Sequence, residues 1–308
     1  MRVLSTGIGS MPHRDAREAL PVILKYVDIP FWPQLPKRTE LENMYIQFSY
    51  GFPGLRIKGG RLVIRKEELR EELKPEMERE QAQGLFEFLS LRPKAPFVKG
   101  QITGPVSLGL YITDGERPII YDDDIMEMMT RFLRLRASWQ EEMLSSISKP
   151  IIFIDEPYLP SLGSAFVAFP WERARELVEE VMGGLGGIKG IHCCTNMDWS
   201  LLLELPLDII SFDAYNYGED FLLYRDEIKD FVKRGGMIAW GIIPNSEDAL
   251  LREGEEEIRR KLESMLSRLE IDLEKVIITP SCGLSSLSER GSERVLSLLK
   301  KLKEKMGG

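Results

Sequence analysis

The chain has 308 residues, 29% of them charged and 43% hydrophobic, with a formal net charge of −8. Those proportions are ordinary for a globular protein, and an acidic balance without a basic block speaks against nucleic acid as a partner. No apolar stretch approaches the ~20 residues that span a bilayer, the first residues show neither the apolar core nor the cleavage site of a signal peptide, and three cysteines, an odd number, suggest no disulfide framework; a reducing cytoplasm is the expected location.

Taken in order, short apolar runs recur at residues 3–8, 28–32, 97–102, 151–154, 188–192, 208–212, 237–242 and 276–279. Most end in a turn marked by Gly or Pro. Helix-like segments lie between and after them, at residues 14–27, 66–91, 122–148, 171–182, 200–205, 218–234, 247–269 and 288–305. Eight strands alternating with eight helices predict an α/β fold, a TIM (β/α)8 barrel formed by one domain over residues 1–308. A doubly wound sheet also alternates, but a count of eight favours closure. One segment, residues 45–65, departs from the alternation. Two alternating runs flank Gly59-Gly60 there, which predicts a β-hairpin inserted after the second strand. It would be either a flap over the mouth or a decoration.

In barrels the chemistry gathers at the C-terminal ends of the strands. Those ends read Gly9-Ser10-Met11-Pro12-His13, Pro33-Gln34-Leu35-Pro36, Thr103-Gly104-Pro105 and Asp155-Glu156-Pro157 for the first four strands. The last four deliver His192 and Cys194, then Asp213, then residues 241–245, then Cys282. Side chains alternate along a strand, so His192 and Cys194 face the same way and Cys193 faces the helices. An imidazole beside thiolates suits a borderline-soft ion such as Zn²⁺, and Cys282 would complete the set. A lone Cys is otherwise a small buried hydrophobe. Asp213 is a fourth ligand or a partner that orients His192. Asp155 and Glu156 point to opposite faces, and Asp155 is the one expected in the mouth. Gly9 and Ser10 precede a helix and offer a carboxylate or phosphate cradle, or simply a helix cap. His13 is a proton donor at the mouth or a first-turn surface residue.

Ile8-Gly9-Ser10, Ile102-Thr103-Gly104-Pro105-Val106, Ile154-Asp155-Glu156-Pro157, His192-x-Cys194 and Ser281-Cys282-Gly283-Leu284 occur in that order. Together they resemble the catalytic domain of cobalamin-independent methionine synthase, within the superfamily that includes uroporphyrinogen decarboxylase. The resemblance runs along almost the whole chain and implies a barrel whose mouth holds zinc, bound by His192, Cys194, Cys282 and, at a family Glu position, Asp213. It implies substrate contacts by Gly9, Ser10 and Asp155, and places Thr103 and Gln47 beside the substrate. It further implies a zinc-bound homocysteine-type thiolate that takes up a methyl group, giving methionine.

The departures carry information too. The compared enzyme has a second, N-terminal barrel that this sequence does not hold. The family Glu ligand is Asp213 here, and the family acid expected near Ile46-Gln47 is absent. The family His after the seventh strand, which protonates the folate leaving group, is replaced by Gly241-Ile242-Ile243-Pro244-Asn245. Methyltetrahydrofolate needs that proton and a methylcorrinoid does not. The expected donor is therefore a methylcorrinoid, carried by a separate corrinoid protein, with His13 the residue left to act as acid. The other readings are a decarboxylase-like lyase, which would grip acidic groups with arginines, and an inactive zinc- or corrinoid-binding accessory.

Overall fold

A computed structural model describes residues 3–307; Met1 and Arg2, where the stretch read as lacking a signal peptide begins, and Gly308 lie outside the described residues. Among the described residues the nine strands are β1 (Leu4–Ser5), β2 (Leu55–Lys58), β3 (Arg61–Ile64), β4 (Phe97–Thr103), β5 (Lys149–Asp155), β6 (Ile188–Cys193), β7 (Ile209–Phe212), β8 (Met237–Ile243) and β9 (Val276–Pro280). Seven of them form one parallel sheet in the order β1-β9-β8-β7-β6-β5-β4, and β2-β3 stand apart. The α/β order and the curl of this sheet fit a TIM-like barrel.

The gap between β1 and β4 is spanned by residues 28–34. The Asp28 and Ile29 N–H groups donate to the Ser5 carbonyl at 3.1 and 3.0 Å, and Lys99 N–H donates to Pro30 O at 2.8 Å. Phe31 bridges Lys99 and Gln34 bridges Ser10, both in parallel. The expected second strand is thus present only as isolated bridges. Pro30, Pro33 and Pro36 explain this, since each lacks the N–H a ladder needs.

Period-two alternation sorts the strand residues into two layers. Ile29, Ile151, Phe153, Ile209, Ala239 and Ile277 pack with Leu4, Phe97, Ile188 and Met237 inside the ring. Their neighbours Val98, Ile152, Ile154, Ile191, Ile210, Ile238 and Ile278 pack outward against the helices. Burying each such side chain contributes about 1.5–3 kcal/mol. Above the apolar inner layer the inward positions turn polar, with Lys99, Gln101, Ser211 and Thr279 all buried. The site stands on that polar layer.

Two of the expected helices break. The helix expected over 66–91 is a 3-10 turn, Lys66–Glu68, and a helix, Gln83–Leu91. Between them the chain is irregular because Arg136 draws its carbonyls away, with Nε donating to Pro75 O at 2.9 Å. The same guanidinium binds Phe48 O and Tyr50 O at 3.0 and 2.9 Å, tying the insertion to the helix Asp123–Ser145. The helix over 247–269 breaks into Glu247–Arg252 and Glu255–Leu269, where Gly254 starts the second and Glu257 reaches back to its N–H at 2.8 Å. The hairpin forms as read: β2 and β3 pair antiparallel, and Gly59 and Gly60 take φ of 55° and 77° at the turn. None of residues 55–64 lines the cavity at the strand ends. Ile64 N–H donates to Thr113 O at 2.8 Å, which packs the hairpin against the loop after the helix Pro105–Tyr111.

Candidate metal centre

At the C-terminal ends of β6 and β9 the ligand atoms of His192, Cys194 and Cys282 lie within 4.8 Å of one another. The neighbouring backbone puts them there. Asp155 on β5 pairs with His192 on β6, so the two end at one level. Cys282 follows the last residue of β9 in a loop that Asn245 clamps: Ser281 Oγ donates to Asn245 Oδ1 at 3.0 Å, and Asn245 Nδ2 donates to Gly283 O at 3.2 Å. Cys193 is buried and faces the other way, its Sγ 3.5 Å from Glu156 O.

Electrostatics inside the cluster favour one thiolate. A hydrogen bond from Cys282, aided by His192, holds the Cys194 thiol well below its ordinary range. The same contact, with burial, pushes Cys282 up. The His192 ring is fixed by Ser211, whose Oγ lies 3.0 Å from Nδ1. That leaves Nε2 buried without a hydrogen-bond partner. Two sulfurs and one imidazole nitrogen, the last oriented through its other nitrogen, fit a borderline-soft divalent metal. An orphaned buried imidazole nitrogen would otherwise be costly.

A cavity of about 390 Å³ opens over this group, lined by Ser10, Gln34, Tyr45, Asp155, Asn245 and Ser285 as well as by His192, Cys194 and Cys282. Of the described residues that line it, Asp155 and Glu42 are acidic and none is Lys or Arg. Glu42 is already engaged, accepting from Leu35 N–H at 2.6 Å and from Arg38 Nε at 2.7 Å. Asp155 keeps Oδ1 buried and unpartnered. Burial pushes its pKa up to about 6, against the pull of Lys99 and His192. At the rim Tyr45 stacks between Tyr111 and Tyr158, with ring centroids 3.9 and 5.8 Å away. A larger groove, about 680 Å³, lies between the helices Asp123–Ser145 and Trp171–Met182, lined by their outward residues rather than by strand ends.

The other residues singled out in the sequence are placed as follows. Glu156 points away from the cavity, accepting from Val106 N–H at 3.0 Å and from Ser107 N–H and Oγ at 2.8 and 2.6 Å. Gly104 is what allows it, because a Cβ there would stand 2.1 Å from the Glu156 carboxylate. Asp213 is outside the group of three. It caps the helix Ala214–Phe221, and its two oxygens accept from Asn216 N–H and Nδ2 at 2.9 and 2.6 Å. His13 does not line the cavity; it is buried beside Glu18, Glu289 and Glu293, and burial lowers its basicity. Gln47 is one layer back, its Oε1 accepting from Gln34 Nε2 at 2.7 Å, and it is Gln34 that reaches the cavity. Thr103 is likewise behind the wall, donating to Met44 O at 2.9 Å. Gly9 supports the wall by accepting from Gln34 N–H at 3.0 Å, while Ser10 lines the cavity. Tyr45 and Ser285 carry no chemistry-bearing motif of their own, so a sequence reading passes over them; Gln34 was read only as part of the second strand's end. Asn245 was within reach, lying at the end of the loop read after the seventh strand.

No protein-family profile matches the chain, and no curated protein matches it. Solved structures do. A B12-independent methionine synthase from Shewanella sp. W3-18-1, in complex with selenomethionine, superposes with a TM-score of 0.71 at 16% identity, covering 99% of this chain and 97% of that one. A methyltransferase from Methanosarcina mazei superposes with a TM-score of 0.61 at 12% identity, covering 100% and 95%. At such identities the likeness is one of fold, and the chain shares the fold of these methyltransferases over its whole length.

Proposed function

We propose that the chain is a zinc-dependent methyltransferase that moves a methyl group from a carrier, a methylcorrinoid in preference to methyltetrahydrofolate, to a thiol such as homocysteine, giving methionine. The observation that carries this reading is the convergence of His192, Cys194 and Cys282 at one cavity with His192 Nε2 left without a partner. Zinc held by these three residues would act as a Lewis acid that keeps an incoming thiol deprotonated at neutral pH. Ser211 aims the imidazole, and Asn245 fixes the loop that carries Cys282. Asp155, the cavity acid with an oxygen to spare, suits a substrate ammonium, and Ser10 suits its carboxylate. Sulfur then attacks the methyl carbon. The S–C bond forms as the bond to the carrier breaks, and that bond's electron pair leaves with the carrier.

The preference for a corrinoid rests on the histidines. His192 is the one histidine that lines the cavity among the described residues, and His13 is not there. No imidazole is free to protonate a folate nitrogen, and cobalt leaves without a proton. Donor access would be past the tyrosine stack at the rim, with the donor presented by a separate corrinoid protein. The lyase reading is disfavoured by the absence of Lys and Arg from the described lining residues. The test is methionine formation from homocysteine by metal-loaded protein. Turnover with methylcobalamin well above that with methyltetrahydrofolate is expected. A higher rate with the folate would overturn the donor, and no methyl transfer from either would overturn the activity.

A further inference from the structure

Lys99 is a buried cation that the mechanism above does not use. It points into the ring from β4 and is 1% exposed. Its Nζ donates to the Ile8 carbonyl and, at 3.4 Å, to Gln101 Oε1, and it lies 4.7 Å from the centre of the Phe153 ring. These direct partners are a carbonyl, an amide oxygen and an aromatic face; the Asp155 carboxylate acts on the ammonium through its charge, without a hydrogen bond. A charge so placed is expensive to bury, and a methionine of similar length would fill the same space without that cost. Burial lowers its basicity only to about 8, so at pH 7 it is still an ammonium.

Its surroundings give the charge a task. Ile8 lines the cavity and is followed directly by Gly9 and Ser10, the segment that leads into the wall. The Ile8 carbonyl is turned down into the ring to meet Nζ, which sets the backbone of the next two residues. Gln101, the other partner, is fastened in turn: its Nε2 donates to Trp32 O at 3.3 Å, and its carbonyl accepts from Gln140 Nε2 at 3.0 Å. Trp32 closes the circuit by donating to Gln140 Oε1 at 2.9 Å. The ammonium therefore stands on a fixed base beneath the end of β1.

We propose that Lys99 is a positioning residue for recognition of a substrate carboxylate: it pins the Ile8 carbonyl, so that Gly9 and Ser10 meet the carboxylate, and adds a positive charge beneath them. This rests on the reading of the cavity as an amino-acid-thiol site, which the same experiment checks separately. The metal-loaded wild type, Lys99→Met and Lys99→Gln are compared for binding of homocysteine and of 3-aminopropanethiol, which is homocysteine without its carboxylate. Cobalt(II) in place of zinc reports thiol binding through its absorption.

In the wild type homocysteine should bind more tightly than the aminothiol. Lys99→Met should weaken homocysteine binding about tenfold or more beyond any change in the aminothiol, which reports the effect of the lost charge on the Asp155–ammonium contact, and leave the metal content unchanged, a loss in keeping with a charged hydrogen-bonding partner. Lys99→Gln keeps a donor for Ile8 and loses the charge, so it should fall between, and it serves if the methionine variant does not fold. A purely structural lysine would lower the melting temperature and shift both thiols equally, and that result would overturn the proposal. A wild type that binds neither thiol would overturn the thiol-site reading itself.

Discussion

The two halves of the barrel interior are made by the same strands and differ in everything else. Toward the N-terminal ends Leu4, Phe97, Ile151, Ile188, Ile209 and Met237 face one another as an apolar plug. Two to four residues further along the same strands stand Lys99, Asp155, His192 and Ser211. Backbone hydrogen bonds and outward-facing residues hold each strand along its length, so the plug can supply stability while the upper layer spends its side chains on polar contacts. That division predicts that mutations in the two layers have separable effects.

The largest effect on stability should come from the plug. Phe153→Ala removes a buried ring and should cost about 3–5 kcal/mol in denaturant unfolding, while the folded fraction still binds one metal per chain. Loss of metal with unchanged stability would contradict the division. One layer up, Ser211→Ala removes the partner of His192 Nδ1. It should lower metal affinity about 10–100-fold and change the unfolding midpoint little, as measured by competition with a chelator.

A further effect concerns Lys99 and pH. Burial holds its pKa at about 8, below the ordinary lysine value of 10.5. Between those values the unfolded chain binds the proton more tightly, so the wild type should gain stability from this group as pH rises from about 8 to 10.5. Lys99→Met lacks the group. Its stability relative to wild type should therefore decline over that interval, and a difference that stays flat with pH would show that the lysine is not confined as described.

Much of this was legible in the sequence, and the parts that were not have physical reasons. The apolar runs gave seven of the eight barrel strands, because burial on both faces leaves an unbroken apolar signature. The remaining run, residues 28–32, was found but cannot pair regularly across its prolines. His192, Cys194 and Cys282 were legible because thiols and imidazoles are rare in this chain and period two fixes their side of the strand. Asp213 and His13 were harder. A strand end specifies the level of a residue, not whether a cap or a neighbouring helix claims its side chain: Asn216 engages the first, and the second is buried beside Glu289. The cavity wall from Glu42 to Tyr45 leads into the insertion that Arg136 holds through the Phe48 carbonyl, a long-range contact that no local pattern announces.

The most direct measurement is the metal content of the purified protein by inductively coupled plasma mass spectrometry, wild type beside Cys282→Ser and Cys193→Ser. The account predicts about one zinc per chain in the wild type and in Cys193→Ser, whose side chain faces the helices, and its loss in Cys282→Ser. A wild type that neither carries zinc nor takes it up, or a Cys193→Ser variant that alone loses it, would contradict the assignment of His192, Cys194 and Cys282 as a metal centre.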